Sequence, residues 1–301
     1  MEVPVAASAR VWLDAARPAT LPAALSPVLV GTAIADAFVP WRALAALIVA
    51  LAFQVAVNFA NDYQDATRGV DTAERTGPRR AVASGTVSAA AMRNAAALAV
   101  VIACAAGLAL AATVSWWLIA VGAFCALAAW AYSGGPRPYA SAGLGEAFVF
   151  VCFGLVATVG SAFVHDAAVP PAAWPAAVAM GLLASAILVA NNLRDLPTDE
   201  AAGKRTLAVR LGDRPTRWLY VALLTGAFVC LPFVAWLAGE WQPLIALVVG
   251  LQAVLPSQAV LTGGQSGRGA AGSELVPILM ATARLQLLVA LLVTLGFMLA
   301  A

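Results

Sequence analysis

The chain has 301 residues, 62% of them hydrophobic and 11% charged, and 17 Lys and Arg against 15 Asp and Glu leave a formal net charge of +2. With a mean hydropathy of +0.89, it has too little charge to cover a soluble domain of this length, and it lacks the dense basic stripe that nucleic-acid binding needs. About 20 apolar residues span a bilayer, and many such runs are present, so the chain reads as an all-α polytopic membrane protein surrounded by lipid, with no protein partner expected.

Taken in chain order, the N-terminal stretch holds Arg10 and Arg17 around a polar start. No short apolar region with a cleavage site precedes them, so no cleavable signal is expected. Nine helices are expected, over 22–39, 42–60, 94–113, 115–133, 147–164, 174–193, 218–238, 243–261 and 277–299. The breaks near 37–41, 114, 165–173 and 239–242 are short and poor in charge. Those at 61–93, 134–146, 194–217 and 262–276 are longer and polar.

Basic residues sort the two sides. Almost all fall in the polar loops or the N-terminal stretch; Arg42 is the exception, and Arg284 lies inside the last helix. Positive charge is retained on the cytosolic side. The polar loops and the N-terminus are therefore expected inside the cell and the C-terminus outside, in the cytoplasmic membrane. Asp213, Arg214 and Arg217 belong to this orientation signal. Carboxylates contribute little to that rule, yet Asp62, Asp65, Asp71, Asp195 and Asp199 share the basic face. Carboxylates mixed with arginines on one face point to a site there.

The first polar loop opens Asn61-Asp62-Tyr63-Gln64-Asp65, and 130 residues on the third opens Asn191-Asn192-Leu193-Arg194-Asp195. Gly134-Gly135 leading to Gly145-Glu146 is echoed by Gly263-Gly264 leading to Ser273-Glu274. These echoes divide one domain into two parallel four-helix repeats, about 22–146 and 147–276, plus a terminal helix at 277–299. Repeats of this kind place a site at their interface in many membrane proteins.

A spacing of four puts Asn61 and Asp65 on one helix face, and Asn191, Asp195 and Asp199 in a row if the helix passes Pro197. Carboxylate and amide oxygens bind hard cations, and Mg2+ takes one or two carboxylates together with substrate phosphates. The candidate metal ligands are Asn61, Asp62, Asp65, Asp71, Asp195 and Asp199. Arg68, Arg79, Arg80, Arg137, Lys204 and Arg205 are candidates to neutralise phosphate charge, arginine through its fork and lysine as a point charge. Asn191 and Asn192 join them as substrate-binding candidates, and Glu146 is open between metal binding and capping the next helix. No GxxxxGK[ST] loop exists, which argues against nucleotide hydrolysis of that type. The four cysteines form no CxxC pair and read as buried apolar groups. His165, the only histidine, lies on the other side from the carboxylates, which argues against a histidine-based triad.

At these residues the chain resembles the UbiA-type intramembrane aromatic prenyltransferases. Asn61-Asp62-x-x-Asp65 and Asp195-x-x-x-Asp199 match that superfamily's two aspartate-rich motifs. Arg75-Thr76-Gly77-Pro78-Arg79-Arg80, Ala16-Arg17-Pro18-Ala19-Thr20-Leu21-Pro22, Tyr132-Ser133-Gly134-Gly135-Pro136 and the run from Asn191 to Gly212 are similar to the branch that prenylates 1,4-dihydroxy-2-naphthoate in menaquinone synthesis. The superfamily's third aspartate falls here on Gly69, and Asp71 looks like its replacement. The resemblance implies magnesium-dependent transfer of a polyprenyl group from an allylic diphosphate to 1,4-dihydroxy-2-naphthoate, with loss of CO2. It implies catalytic roles for Asn61, Asp65, Asp71, Asp195 and Asp199. Trp130, Tyr132 and Tyr139 either face the allylic cation or anchor at the membrane interface. The rivals are the same fold with another phenolic acceptor, such as homogentisate or 4-hydroxybenzoate, and a cation transporter, since intramembrane carboxylates mark ion paths.

Overall fold

The computed structural model describes residues 8–67, 80–134, 138–264 and 267–300. Arg68, Asp71, Arg79 and Arg137 lie outside the described residues. Among the described residues every regular element is helical: α1 (Ala9–Ala16), α2 (Pro22–Ile34), α3 (Pro40–Thr67), α4 (Ala89–Thr113), α5 (Trp117–Ser133), α6 (Gly145–Asp166), α7 (Ala173–Ala201), α8 (Leu207–Leu211), α9 (Asp213–Ala238), α10 (Gln242–Thr262) and α11 (Leu275–Ala300). Seven of these, α3, α4, α6, α7, α9, α10 and the α11 segment, are long and apolar enough to cross a membrane. α2 and α5 are apolar but shorter.

The expected runs all fall on helices, but two ends differ in a way that matters. α3 continues from residue 60 to Thr67, and α7 from 193 to Ala201. Hydropathy marks where the apolar run stops, whereas backbone hydrogen bonding carries the helix into the polar segment. α7 also passes through Pro197 unbroken. Asp62, Asp65, Asp195 and Asp199 therefore sit on helical turns rather than in loops.

α7 is the central helix. In its spanning stretch 72% of residues are buried, against 22–50% in the other six spans. It packs on α2, α6, α9 and α11. Small side chains such as Ala173, Ala177, Ala186 and Ala190 allow this close approach. α6 winds as a π-helix over Phe150–Val156. There Gly154 meets Gly181 of α7 so closely that a Cβ on Gly154 would lie 2.5 Å from the Gly181 Cα.

At the short-loop end a polar knot ties α6 to the α2–α3 corner. The Asp166 carboxylate accepts the Asp36 and Ala37 amides, and His165 Nδ1 accepts the Val39 amide at 3.0 Å. Arg42 donates to the Val164 and His165 carbonyls at 3.0 and 2.9 Å. This accounts for the one basic residue on that side: it satisfies carbonyls that the end of a helix leaves without partners. Trp41, Trp116, Trp117, Trp174, Trp236 and Trp241 are exposed at the same end, which matches an interfacial aromatic belt.

Candidate active site

At the polar-loop end the last turns of α3 and α7 face one polar cavity of about 130 Å³. Asn61 and Asp65 line it from α3; Asn191, Asn192, Asp195 and Asp199 line it from α7. Arg80, Lys204 and Tyr132 complete the candidates that reach it.

Each aspartate on the wall carries a cation. Arg80 donates to Asp65 at 2.5 Å. Arg194 forks onto Asp195 at 2.7 and 2.6 Å and also donates to Asn191 Oδ1 at 2.9 Å. Lys204 lies 3.3 Å from Asp199, and its amide closes the turn onto the Asp199 carbonyl at 2.9 Å. These pairs are largely buried, where removing one partner leaves a costly charge. A polyanion entering the cavity would meet Arg80 and Lys204 as well as the carboxylates.

Other candidates lie off the polar wall. Asp62, 2% exposed, is not on the cavity wall. Its two carboxylate oxygens accept the Ala81 and Val82 amides at 3.0 and 3.1 Å, so it anchors the segment that delivers Arg80. Arg205 is exposed; its amide donates to the Ser141 carbonyl at 2.9 Å and joins two loops beneath the site. Tyr139 lies deeper. Its ring stacks on Phe148 at 4.0 Å and meets Tyr132 edge-on at 5.5 Å, and its hydroxyl donates to the Ala128 carbonyl at 2.8 Å. Burial pushes the Tyr139 phenol well above its usual range, so it stays a neutral donor. Trp130 is exposed and lies on neither cavity wall, which leaves it the interfacial role.

Other wall residues were missing from the candidates. Arg17 lines the polar cavity from the α1–α2 corner, where φ is +53, a region uncommon outside glycine. Its signal in the sequence was its place in the Ala16–Pro22 segment that carries the resemblance. Arg194 is not on the wall but stands behind it, buried, with its long side chain folded back onto Asp195. Ser141, Thr198 and Thr206 also reach the wall, and nothing in their spacing marks them.

The polar cavity adjoins an apolar one of about 300 Å³. Arg17, Asn61, Tyr132 and Asn191 border both. On α3 the apolar wall runs from Asn61 down to Ala46, about 22 Å along the helix at 1.5 Å per residue. Its other walls include Gly122 of α5, Phe153 in the π-helical stretch of α6 and Gly160 in the α-helical part of α6.

The cavity's donors are hard oxygens, which fits magnesium. Among the described residues no three carboxylate, His or Cys side chains close on one point. Magnesium needs no such cage, since it keeps waters and shares substrate phosphate oxygens.

Residues 24–268 match the UbiA prenyltransferase family. The chain belongs to that family. It is 47% identical over 290 residues to the 1,4-dihydroxy-2-naphthoate octaprenyltransferase of Mycobacterium tuberculosis, covering 95% of this chain and 96% of that one. It is 41% identical over 231 residues to the Escherichia coli protein of the same name, covering 74% and 75%. The fold is shared with a UbiA homolog from Archaeoglobus fulgidus bound to GPP and Mg2+, at a TM-score of 0.70 and 17% identity, covering 96% of this chain and 98% of that one. An apo UbiA homolog from Aeropyrum pernix gives a TM-score of 0.69 at 16% identity, covering 93% and 97%. Membership makes this UbiA-family chain a prenyltransferase and an integral membrane protein, as its motifs and apolar spans led one to expect.

Proposed function

We propose that this UbiA-family enzyme transfers a polyprenyl group from an allylic diphosphate to 1,4-dihydroxy-2-naphthoate, with loss of CO2. The observation that carries the reading is a pair of adjoining cavities that share Arg17, Asn61, Tyr132 and Asn191 on their walls, one polar and carboxylate-lined, the other apolar for about 22 Å along α3. That shape matches a molecule with a charged head and a long hydrocarbon tail. The acceptor rests on relatives that carry the name 1,4-dihydroxy-2-naphthoate octaprenyltransferase across nearly the whole chain.

In this reading Asn61, Asp65, Asp195 and Asp199 would hold magnesium, with Asp71 as a further candidate. Magnesium supplies charge stabilisation to the departing diphosphate. Arg80 and Lys204 pair with phosphate oxygens, alongside Arg17, Arg68, Arg79 and Arg137. The allylic C–O bond breaks, and its electron pair leaves with the diphosphate. The ring carbon that bears the carboxylate attacks the allylic cation. The C–C bond to the carboxylate then breaks, CO2 departs, and that electron pair restores the aromatic ring, so no protein base is needed at that carbon. Tyr132 and Tyr139 present ring faces and edges beside the reacting carbon, and the apolar walls keep water from the cation. The polar-loop end faces the cytosol of the cytoplasmic membrane, following the distribution of basic loops. The two Asn–Asp helix ends are the matching parts of two repeats within one domain.

The test is mass analysis of the product made by membranes containing this chain. Farnesyl or geranylgeranyl diphosphate is supplied with dihydroxynaphthoate, homogentisate or 4-hydroxybenzoate, with magnesium and with excess chelator. A demethylmenaquinone that disappears on chelation is expected. Product from a monocyclic phenol but none from dihydroxynaphthoate would sink the acceptor assignment.

A further inference from the structure

Glu146 is a carboxylate buried in the wall behind the site, and the mechanism above leaves it unused. It stands in the first turn of α6 and is 7% exposed. Its Oε1 accepts a hydrogen bond from Asn192 Nδ2 at 2.8 Å. Its Oε2 is buried with no hydrogen-bond partner among the described residues. Ser185 Oγ donates to the Glu146 carbonyl at 3.1 Å and pins this turn of α6 to α7. Gly145 and Asn192, on either side of the carboxylate, both line the polar cavity; Glu146 itself does not.

Burying a carboxylate is costly unless it is hydrogen-bonded, and the α6 amino terminus offsets part of that cost. An ionised carboxylate only accepts hydrogen bonds, whereas a carboxamide has a donor end and an acceptor end. Asn192 turns its NH2 group toward Glu146. Its Oδ1 then points away from Glu146, as an acceptor whose direction is set from behind. An acceptor oxygen backed by a carboxylate repels a phosphate oxygen and attracts a hydroxyl. The same stretch of wall carries Tyr132, and beneath it lie the stacked Tyr139 and Phe148 rings, a surface suited to a flat aromatic ring.

We propose that Glu146 is a positioning residue that fixes the Asn192 carboxamide so that its oxygen reads a hydroxyl of the aromatic acceptor. The inference rests on the functional reading above and adds a recognition element to it. Asn192 touches the hydroxylated ring; Glu146 acts only through Asn192. Diphosphate and magnesium are held by other residues of the cavity.

The experiment measures KM for the aromatic acceptor, KM for the prenyl diphosphate, and magnesium half-saturation in purified enzyme. Glu146→Leu is expected to raise the acceptor KM about tenfold or more, the scale of losing an outer partner, and to leave the other two constants unchanged. Glu146→Gln keeps an oxygen for the Asn192 N–H and is expected to stay near wild type. Asn192→Asp sets two carboxylates face to face and is expected to raise the acceptor KM like Glu146→Leu. The double change Glu146→Gln with Asn192→Asp reverses donor and acceptor and is expected to restore it.

An unchanged acceptor KM in Glu146→Leu overturns the proposal. So does a double variant no better than Asn192→Asp, or a parallel rise in all three constants. If Glu146→Leu does not fold, Glu146→Gln and the double variant decide. Wild-type enzyme that prenylates no hydroxylated aromatic overturns the functional reading and this inference together. Wild-type activity with indifferent variants overturns the inference alone.

Discussion

Asp62 and Asp65 stand three residues apart on α3, yet their surroundings differ. Asp62 spends both oxygens on the Ala81 and Val82 amides, whereas Asp65 faces the cavity with Arg80 beside it. Asp65→Asn keeps an acceptor for Arg80 but loses the charge. Its kcat/KM is expected to fall about 100-fold or more, the scale of losing one stabilising group in a transition state, with little change in melting temperature. Asp62→Asn leaves one buried amide without its acceptor, at a cost of about 1–3 kcal/mol. It is expected to lower kcat/KM about tenfold through displacement of Arg80, with magnesium half-saturation unchanged. A shift of magnesium half-saturation as large as that of Asp65→Asn would remove the anchor role from Asp62. The Asn192–Glu146 contact belongs to the same scale, since one oriented amide sets what the wall accepts.

Among the elements, α3 and α7 carry most of the polar site, and the packing of α6 on α7 shapes the apolar cavity. Their crossing depends on Gly154 and Gly181, and it lies beside the π-helical stretch whose side chains line the apolar cavity. π-Bulges often occur at functional sites, and this one turns Cys152 and Phe153 toward the cavity. Gly154→Ala forces a Cβ onto backbone and is expected to cost about 1–3 kcal/mol or more, read as a lower melting temperature in detergent. Gly122→Ala, with nothing within 4 Å of the new Cβ, is the matched control and is expected to melt with the wild type. At the opposite end Arg42→Ala removes two charged hydrogen bonds to α6 carbonyls. Each is worth about 1.5–3 kcal/mol, so melting is expected to fall while the KM for prenyl diphosphate holds. A changed KM there would mean that the knot reaches the site.

On the scale of the whole molecule, the bundle surrounds an apolar space that runs about 22 Å along α3, roughly three quarters of the bilayer's hydrocarbon depth of about 30 Å. Gly160 lines it with open space beyond its Cα. Gly160→Phe is expected to fill the lower half. Transfer of long tails should then fall at least about tenfold, the discrimination one misfit group can bring in an apolar pocket, while geranyl transfer persists. Product mass profiles with diphosphates of graded length check this; equal losses at every length would place the tail elsewhere.

The sequence by itself determined the all-helical membrane class, because apolar runs long enough for a bilayer leave the backbone few other ways to pair its polar groups. It also marked Asn61–Asp65 and Asn191–Asp195, since a spacing of four is a local property of one helix and needs no tertiary knowledge. Only the tertiary structure decided which neighbouring polar residues face the cavity. Asp62 turned to the Arg80 segment, Arg205 to solvent and Arg17 into the wall, because those directions depend on contacts between segments far apart in the chain. The same holds for Glu146. In sequence it is an acid next to a glycine; its burial against Asn192, 46 residues away, exists only once α6 has packed on α7.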